Sequence, residues 1–397
     1  MNFLKIIFIL SLLVFAVPSD LMAKKPAPSQ DDKCSALEIF SPDFVFWRSS
    51  GGKNAPRVSI FLADSKSGCE KFLVEVSSSF SFIWSLRYSN SLDQDGNVKF
   101  GRVTWVEIAE SPLGRNYGEA KAICLQDFNI SGAEVVPDPG PKEIIFNASL
   151  DTQEVREDLS RVDLSPDMQS LVIDYSYESS VDPDGSYSSI RVIDIADCLT
   201  RCPSNKAPGL EFAKILRNET GWITAPSWGP FGTRIYAKWK IEGDETSDTI
   251  VYFDLDRDDD GNWVPPLDMD VLFSHDAHLD QLWMRAMAFP FSGIRQIEGG
   301  NKEFLAVHAE PMVDNESCEN VYVIDVAACE NPPYKCEAEP AFVGQFPTWT
   351  KNGEIIHLYE GWTLRGKCDF KQVGVWTGDD LKPLIEGKYP NAAGGIP

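Results

Sequence analysis

The chain has 397 residues, 43% of them hydrophobic, and a formal net charge of -24. That charge argues against nucleic acid as a ligand, because binding it depends on neutralising phosphates with Lys and Arg, and it disfavours anionic membrane surfaces. Cations and basic partners are favoured, with the plainer alternative of a solvated acidic surface that keeps the protein soluble.

Residues 1–23 read as a signal peptide: Lys5, the apolar run "IIFILSLLVFAV" and a small-residue cleavage site ending at Ala23. The run is shorter than the roughly 20 residues that cross a bilayer, and no later stretch is long and apolar enough to span. Cleavage leaves the charge unchanged, since Lys5 and Asp20 cancel. Residues 24–33 form a short linker. Nine cysteines in an exported chain predict disulfides with at least one thiol left over.

From Glu38 onward the chain repeats itself. "EIFSPDFVFW" with "RVSIFLAD" opens the series, followed by "FSFIWSLRYSN", "GRVTWVEI" and "AKAICL", with "NISGAEVVPDPGPKE" as an irregular insertion. Then come "VDLSPDMQSLVIDYSY" (162–177), "PSWGPFGTRIYAKW" from Pro226, "MAFPFSGIRQI" from Met287 and "PTWTKNGEIIHLY" from Pro347. Each of these four has an apolar or aromatic anchor, a turn rich in Pro, Gly or Asp, and a second apolar strand. The anchors Leu164, Trp228, Phe289 and Trp349 are 64, 61 and 60 residues apart, and Phe40 lies two periods before Leu164. A second signature follows in "IRVIDI", "TIVYFDL" and "VYVIDV", rich in β-branched and aromatic residues and therefore strand-like. One more strand, such as "LEFAKIL", completes each copy. Four antiparallel strands per period is the unit of a propeller blade. The expectation is an all-β, six-bladed β-propeller over residues 34–397, or seven blades if residues 129–160 add strands.

The repeated "LSPD" with a following "VIDI" resembles the PD40 repeats of TolB-like six-bladed propellers, related in shape to WD40 proteins. The resemblance implies fold more than function, because propellers host binding and many chemistries alike. TolB proper carries an α/β domain ahead of its propeller, whereas these repeats begin almost at the expected mature N-terminus, so a Tol-Pal role is one reading among several.

No G-x-S-x-G elbow, P-loop or dinucleotide fingerprint is present. In "SHDAHLDQLW", His275 and His278 flank Asp276 and read either as metal ligands or as polar loop residues. "DLDRDDDGN" sets Asp256, Asp258 and Asp260 at alternate positions before Gly261, an arrangement suited to calcium or to a solvated hairpin turn. It is not an EF-hand, since Leu267 stands where the bidentate glutamate belongs.

Strand alternation in each blade sorts the loops onto two faces. Asp93, Asp95, Asp182, Asp184, Asp244, Glu245, Asp314 and Glu316 are expected in second-to-third loops, forming one acidic rim with His275, Asp276 and His278 near the channel mouth. The Asp256 loop falls on the other face, with two expected local disulfides, Cys198 to Cys202 and Cys329 to Cys336. Cys318 with Cys368 is a further candidate pair; Cys34, Cys69 and Cys124 stay unassigned. The expected function is a monomeric, exported, periplasmic or secreted interaction module of the cell envelope, non-catalytic and docking a basic protein or peptide. The alternative is a metal-dependent polysaccharide lyase or hydrolase, since oligogalacturonate lyases are built on similar propellers.

Overall fold

The computed structural model describes residue 34 and residues 37–396, except 51–56, 77–81, 111–118, 147–154, 183–184, 197–208, 217–220, 241–247, 267, 274–283, 298–299, 312–319, 331–337, 351–352, 363–367, 378–380 and 387–390. Nearly all the described elements are strands in antiparallel sheets. Among the described residues no helix is long and apolar enough to cross a membrane.

The strands pair in groups that follow the chain. In the first, β1 (Phe44–Ser50), β2 (Arg57–Asp64) and β3 (Cys69–Glu75) lie side by side. The second holds β4 (Phe82–Leu92), β5 (Val98–Glu110) and β6 (Glu119–Ser131), with β7 (Glu134–Pro137) and β8 (Lys142–Phe146) both on β6. The third is β9 (Val155–Leu164), β10 (Ser170–Ser179), β11 (Tyr187–Asp194) and β12 (Leu210–Leu216). The fourth joins β13 (Trp222–Trp228), β14 (Arg234–Lys240) and β15 (Asp248–Asp254); a hairpin of β16 (Asp256–Arg257) and β17 (Trp263–Val264) then leads to β18 (Asp270–Phe273).

Next come β19 (Met284–Ile297), β20 (Gly300–Pro311), β21 (Asn320–Asp325), the short helix α1 (Val326–Glu330) and β22 (Ala338–Trp349). The first half of β22 pairs with β21 and its second half starts a new group with β23 (Ile355–Trp362), β24 (Cys368–Trp376) and β25 (Leu381–Glu386). The last strand, β26 (Asn391–Ile396), returns to pair antiparallel with β1. It also contacts β22 and β23, so it joins the last group of strands to the first.

Two expectations are corrected here. The stretch read as an irregular insertion contains β7 and the start of β8, but both join the second group instead of building a group of their own. The first group does not begin with a strand at Phe40: that residue leads into the turn before β1, and β26 supplies the strand on β1's free edge.

Neighbouring groups share their cores in chain order. Val106, Ile123 and Leu125 of the second meet Leu159, Val162 and Ile173 of the third. Val172 and Ile190 of the third meet Ile223, Trp228 and Val251 of the fourth. The pattern continues from Tyr236 and Ile250 to Leu305 and Ile324, then from Ala306 and Val321 to Trp349 and Ile355. A sheet covered on both faces must be apolar on both, which is why the first six residues of β10 are all buried. The anchors Leu164, Trp228 and Trp349 are at most 1% exposed; the side chain of Phe289 lies outside those described.

Candidate binding site

The strands that start the second to sixth groups are irregular at the same place. In β4, β9, β13, β19 and β22 the register slips a few residues before the anchor, so that extra residues oppose the neighbouring strand. These are β-bulges, which bend a strand and re-aim its groups. Ser85 and Ala225 sit in two of them with φ of 55° and 53°, a left-handed conformation that costs a non-glycine residue free energy.

Hydrogen bonds from the adjacent group hold these bulges. Ser85 Oγ donates to the Val162 carbonyl at 2.8 Å and accepts the Val162 N–H at 3.1 Å. The Asp174 carboxylate accepts from the Arg161 N–H at 2.6 Å on its own sheet, and from Thr224 Oγ1 at 2.5 Å and the Ala225 N–H at 3.0 Å on the next. Asp163 works likewise: one oxygen accepts from Ser227 Oγ at 3.0 Å and the Trp228 N–H at 2.8 Å, and the other lies 3.3 Å from Arg87 Nε. Burial raises the Asp163 pKa, opposed by the Arg87 charge and these donors. Burial also lowers that of Arg87, opposed by Asp163, and brings Arg161 down to about 10, helped by the nearby Arg87 charge. The cluster ties three inner strands together.

Beside it opens a cavity of about 210 Å³ between the third and fourth groups. Asp158, Asp174, Tyr175, Ser176, Trp222 and Thr224 line it. Ser188 also lines it, and its hydroxyl accepts the Ile223 N–H at 2.8 Å. Asp158 stands opposite Ser176 and Glu157 opposite Tyr177, at the strand ends that carry Glu178 and Asp182. Tyr175 donates its hydroxyl to Glu157 at 2.8 Å. The cavity joins carboxylates, hydroxyls and the Trp222 ring, a set suited to binding a polar group; the Tyr175 ring packs on the other face of its sheet, against the second group. Strand patterning missed the cavity; the available signal was the density of charge in "REDLSRVDL", five of nine residues, against the apolar norm for a buried strand.

The predicted rim is only partly assembled. Asp182 lies between β10 and β11 as expected, where its carboxylate accepts the Gly185 N–H at 3.2 Å. Asp93 and Asp95 do not: they form the turn between β4 and β5, the first and second strands of their group. That end of the strands touches the turn at Ser165, through Ser89 Oγ to the Ser165 carbonyl at 3.3 Å and Arg102 Nη1 to the Met168 carbonyl at 2.5 Å. It is therefore the end away from Asp182. Asp184, Asp314, Glu316, His275, Asp276 and His278 lie outside the described residues, as do Asp244 and Glu245.

"DQDGN" and "DDDGN" fold into one and the same turn. In each, the first Asp exchanges backbone hydrogen bonds across the turn and Gly96 or Gly261 takes a positive φ, 78° or 83°. The Asp93 carboxylate accepts the N–H groups of Asp95 and Asn97 at 2.9 and 2.8 Å; that of Asp258 accepts those of Asp260 and Asn262 at 3.0 and 2.8 Å. The Asn262 side chain and these backbone donors lower the Asp258 pKa. The Asp258 carboxylate thus holds the hairpin, and among the described residues no three His, Cys, Asp or Glu side chains converge on a metal position. Asp258→Ala should speed amide exchange at Asp260 and Asn262 by roughly an order of magnitude with or without calcium, whereas Asp256→Asn leaves it unchanged; calcium-dependent protection would instead show that the three aspartates hold a cation.

Cys34 and Cys69, left unassigned by spacing, form a disulfide across 35 positions. Cys124 is a buried thiol. Cys329, in α1, is disulfide-bonded, with the side chains of Cys198, Cys202, Cys318, Cys336 and Cys368 outside those described.

No family model and no curated protein matches the chain. Solved structures similar to it include TolB from Acinetobacter baumannii. That likeness has 14% identity and a TM-score of 0.47, covering 89% of this chain and 66% of the TolB chain. Puromycin hydrolase is similar at 11% identity and a TM-score of 0.40, over 90% of this chain and 48% of its own. A Hadza microbial sialidase follows at 9% and 0.42, over 92% and 66%. The chain thus spans less than two thirds of each. With every one of these TM-scores below 0.5, the likenesses carry no argument about activity.

Proposed function

We propose that the chain is an exported, monomeric six-bladed propeller that acts as a non-catalytic interaction module, docking a basic polypeptide. Six groups of strands, each sharing a core with the next, support the blade count. The return of β26 to β1 supports ring closure, the last strand completing the first blade. The Cys34–Cys69 disulfide suits an oxidising compartment, in keeping with residues 1–23 as a signal, and we place the protein in the periplasm or outside the cell.

The observation that carries the docking reading is the grouping of Glu157, Asp158, Glu178 and Asp182 at one end of the third blade, where Asp158 also lines the cavity. Clustered carboxylates on rigid strands raise the association rate of a positive partner and make it fall with salt. Asp184 and Asp314 extend this rim in our reading. Neutralising Asp182, Asp184 and Asp314 together to Asn should slow association of a lysine-rich peptide several-fold at low ionic strength, measured by stopped flow, with the fold intact. A rate indifferent to both the triple variant and added salt would place the site elsewhere.

A further inference from the structure

We infer that the cavity between the third and fourth blades holds one neutral sugar ring, bound through its hydroxyl groups. This goes beyond the docking reading and assigns a second class of ligand. Three observations lead to it.

The first is what the walls have left to offer. Asp174 already accepts from the Arg161 and Ala225 N–H groups and from the Thr224 hydroxyl, and Asp158 is also engaged within the protein. Neither carboxylate waits for a cation, and both would repel an anion. The hydroxyls differ. Ser188 is 2% exposed and its oxygen accepts the Ile223 N–H, which leaves its own proton for an acceptor in the cavity. Ser176, half-buried on the same lining, brings a second hydroxyl. Thr224 gives its proton to Asp174 and keeps lone pairs that accept. A guest that both donates and accepts on neighbouring atoms matches this set, as vicinal hydroxyls do. A purely apolar guest would strip water from these groups without replacing its hydrogen bonds.

The second is the apolar wall. Trp222, half-buried, sets a flat ring beside the hydroxyls, so a guest must be apolar on one side and polar around its edge. A sugar ring has such a C–H face; a linear polyol does not. The third is size. A space of about 210 Å³ is smaller than the roughly 300–1,000 Å³ of sites that enclose drug-sized ligands. It admits one ring and leaves the rest of a longer glycan outside.

The test titrates the mature protein with the methyl glycosides of glucose, galactose and N-acetylglucosamine, following the Trp222 indole N–H in NMR spectra, assigned with Trp222→Phe. Saturable binding in the millimolar range is expected for at least one of them. Ser176→Ala should weaken it about fivefold, the size of one neutral hydrogen bond, and leave the urea midpoint unchanged. By saturation transfer from protein to glycoside, Trp222→Phe should stay within about threefold of wild type and Trp222→Ala should lose binding. Cyclohexanol and n-butylammonium should not compete. No saturation by any of the three glycosides, equal binding of either control, or indifference to Ser176→Ala would overturn the assignment. If the glycosides fail while the lysine-rich peptide still depends on the rim, the cavity inference falls and the docking reading stands. Saturable, Ser176-dependent binding beside a peptide that ignores the rim supports the cavity and sinks the rim.

Discussion

Asp163→Ala is expected to destabilise the fold by about 3–5 kcal/mol, the cost of breaking a buried ion pair from one side. Asp163 is 2% exposed, and its carboxylate satisfies donors from two sheets besides facing Arg87. Truncation leaves the Arg87 guanidinium buried near Arg161 without its carboxylate, and strips the Trp228 N–H of its acceptor, a loss in the range of about 1–3 kcal/mol by itself. Asp163→Asn keeps an oxygen for Ser227 and Trp228 and should fall between wild type and Asp163→Ala. Adding Arg87→Met to Asp163→Asn removes both charges and should recover part of the loss, because an ion pair replaced on both sides is often close to neutral. Urea midpoints for the three variants decide it: a drop below about 1 kcal/mol for Asp163→Ala would mean that the pair is solvated and not a staple.

The repeat, its period and its buried anchors are legible in the sequence because each copy must fill the same inter-sheet space. Leu164, Trp228 and Trp349 reach the core from equivalent strand ends for that reason. What eluded sequence reading was set by partners far along the chain. The last strand, "NAAGGI", carries no apolar alternation; it is a strand because β1 offers a free edge beside it. "EVVP" and "KEIIF" stand among prolines and glycines that argue for a loop, and pairing with β6 overrides that local preference. "DQDG" and "DPDG" look alike, yet the first follows an inner strand and the second a middle one, so a rim drawn from composition joined opposite ends of the sheets. The cavity was hidden for a related reason: Asp158 and Trp222 are 64 positions apart and meet only when two sheets face each other. Cys34 and Cys69 likewise depend on the first sheet bringing them together.

The seam between the first and last sheets should respond to pH through Asp43. This residue is 1% exposed in the turn before β1, where its carboxyl accepts the Ser65 N–H at 2.8 Å and the Ser65 hydroxyl. Ser65 Oγ also faces Glu354 Oε2 of the last sheet at 3.4 Å, and Tyr88 donates its hydroxyl to the Pro42 carbonyl at 3.2 Å beside it. Burial pushes the Asp43 pKa up from 3.8 to about 7; the Ser65 hydrogen bonds oppose this, and the Asp64 and Glu354 charges add to it. A carboxyl whose folded pKa is raised holds its proton in the native state where the unfolded chain has released it. Its contribution is fully present below about pH 3.8 and lost as pH rises through about 7. The separation corresponds to a contribution on the order of 4 kcal/mol. Asp43→Asn keeps an acceptor for the Ser65 N–H and cannot ionise. Its stability relative to wild type should therefore be near zero around pH 4 and grow to as much as about 4 kcal/mol in its favour by about pH 8. Comparing the two proteins cancels the ordinary carboxylates, which act in the opposite direction. Urea unfolding at pH 4, 6 and 8 reads the difference, and a gap that does not widen between the first and the last would show that Asp43 is already ionised when it folds.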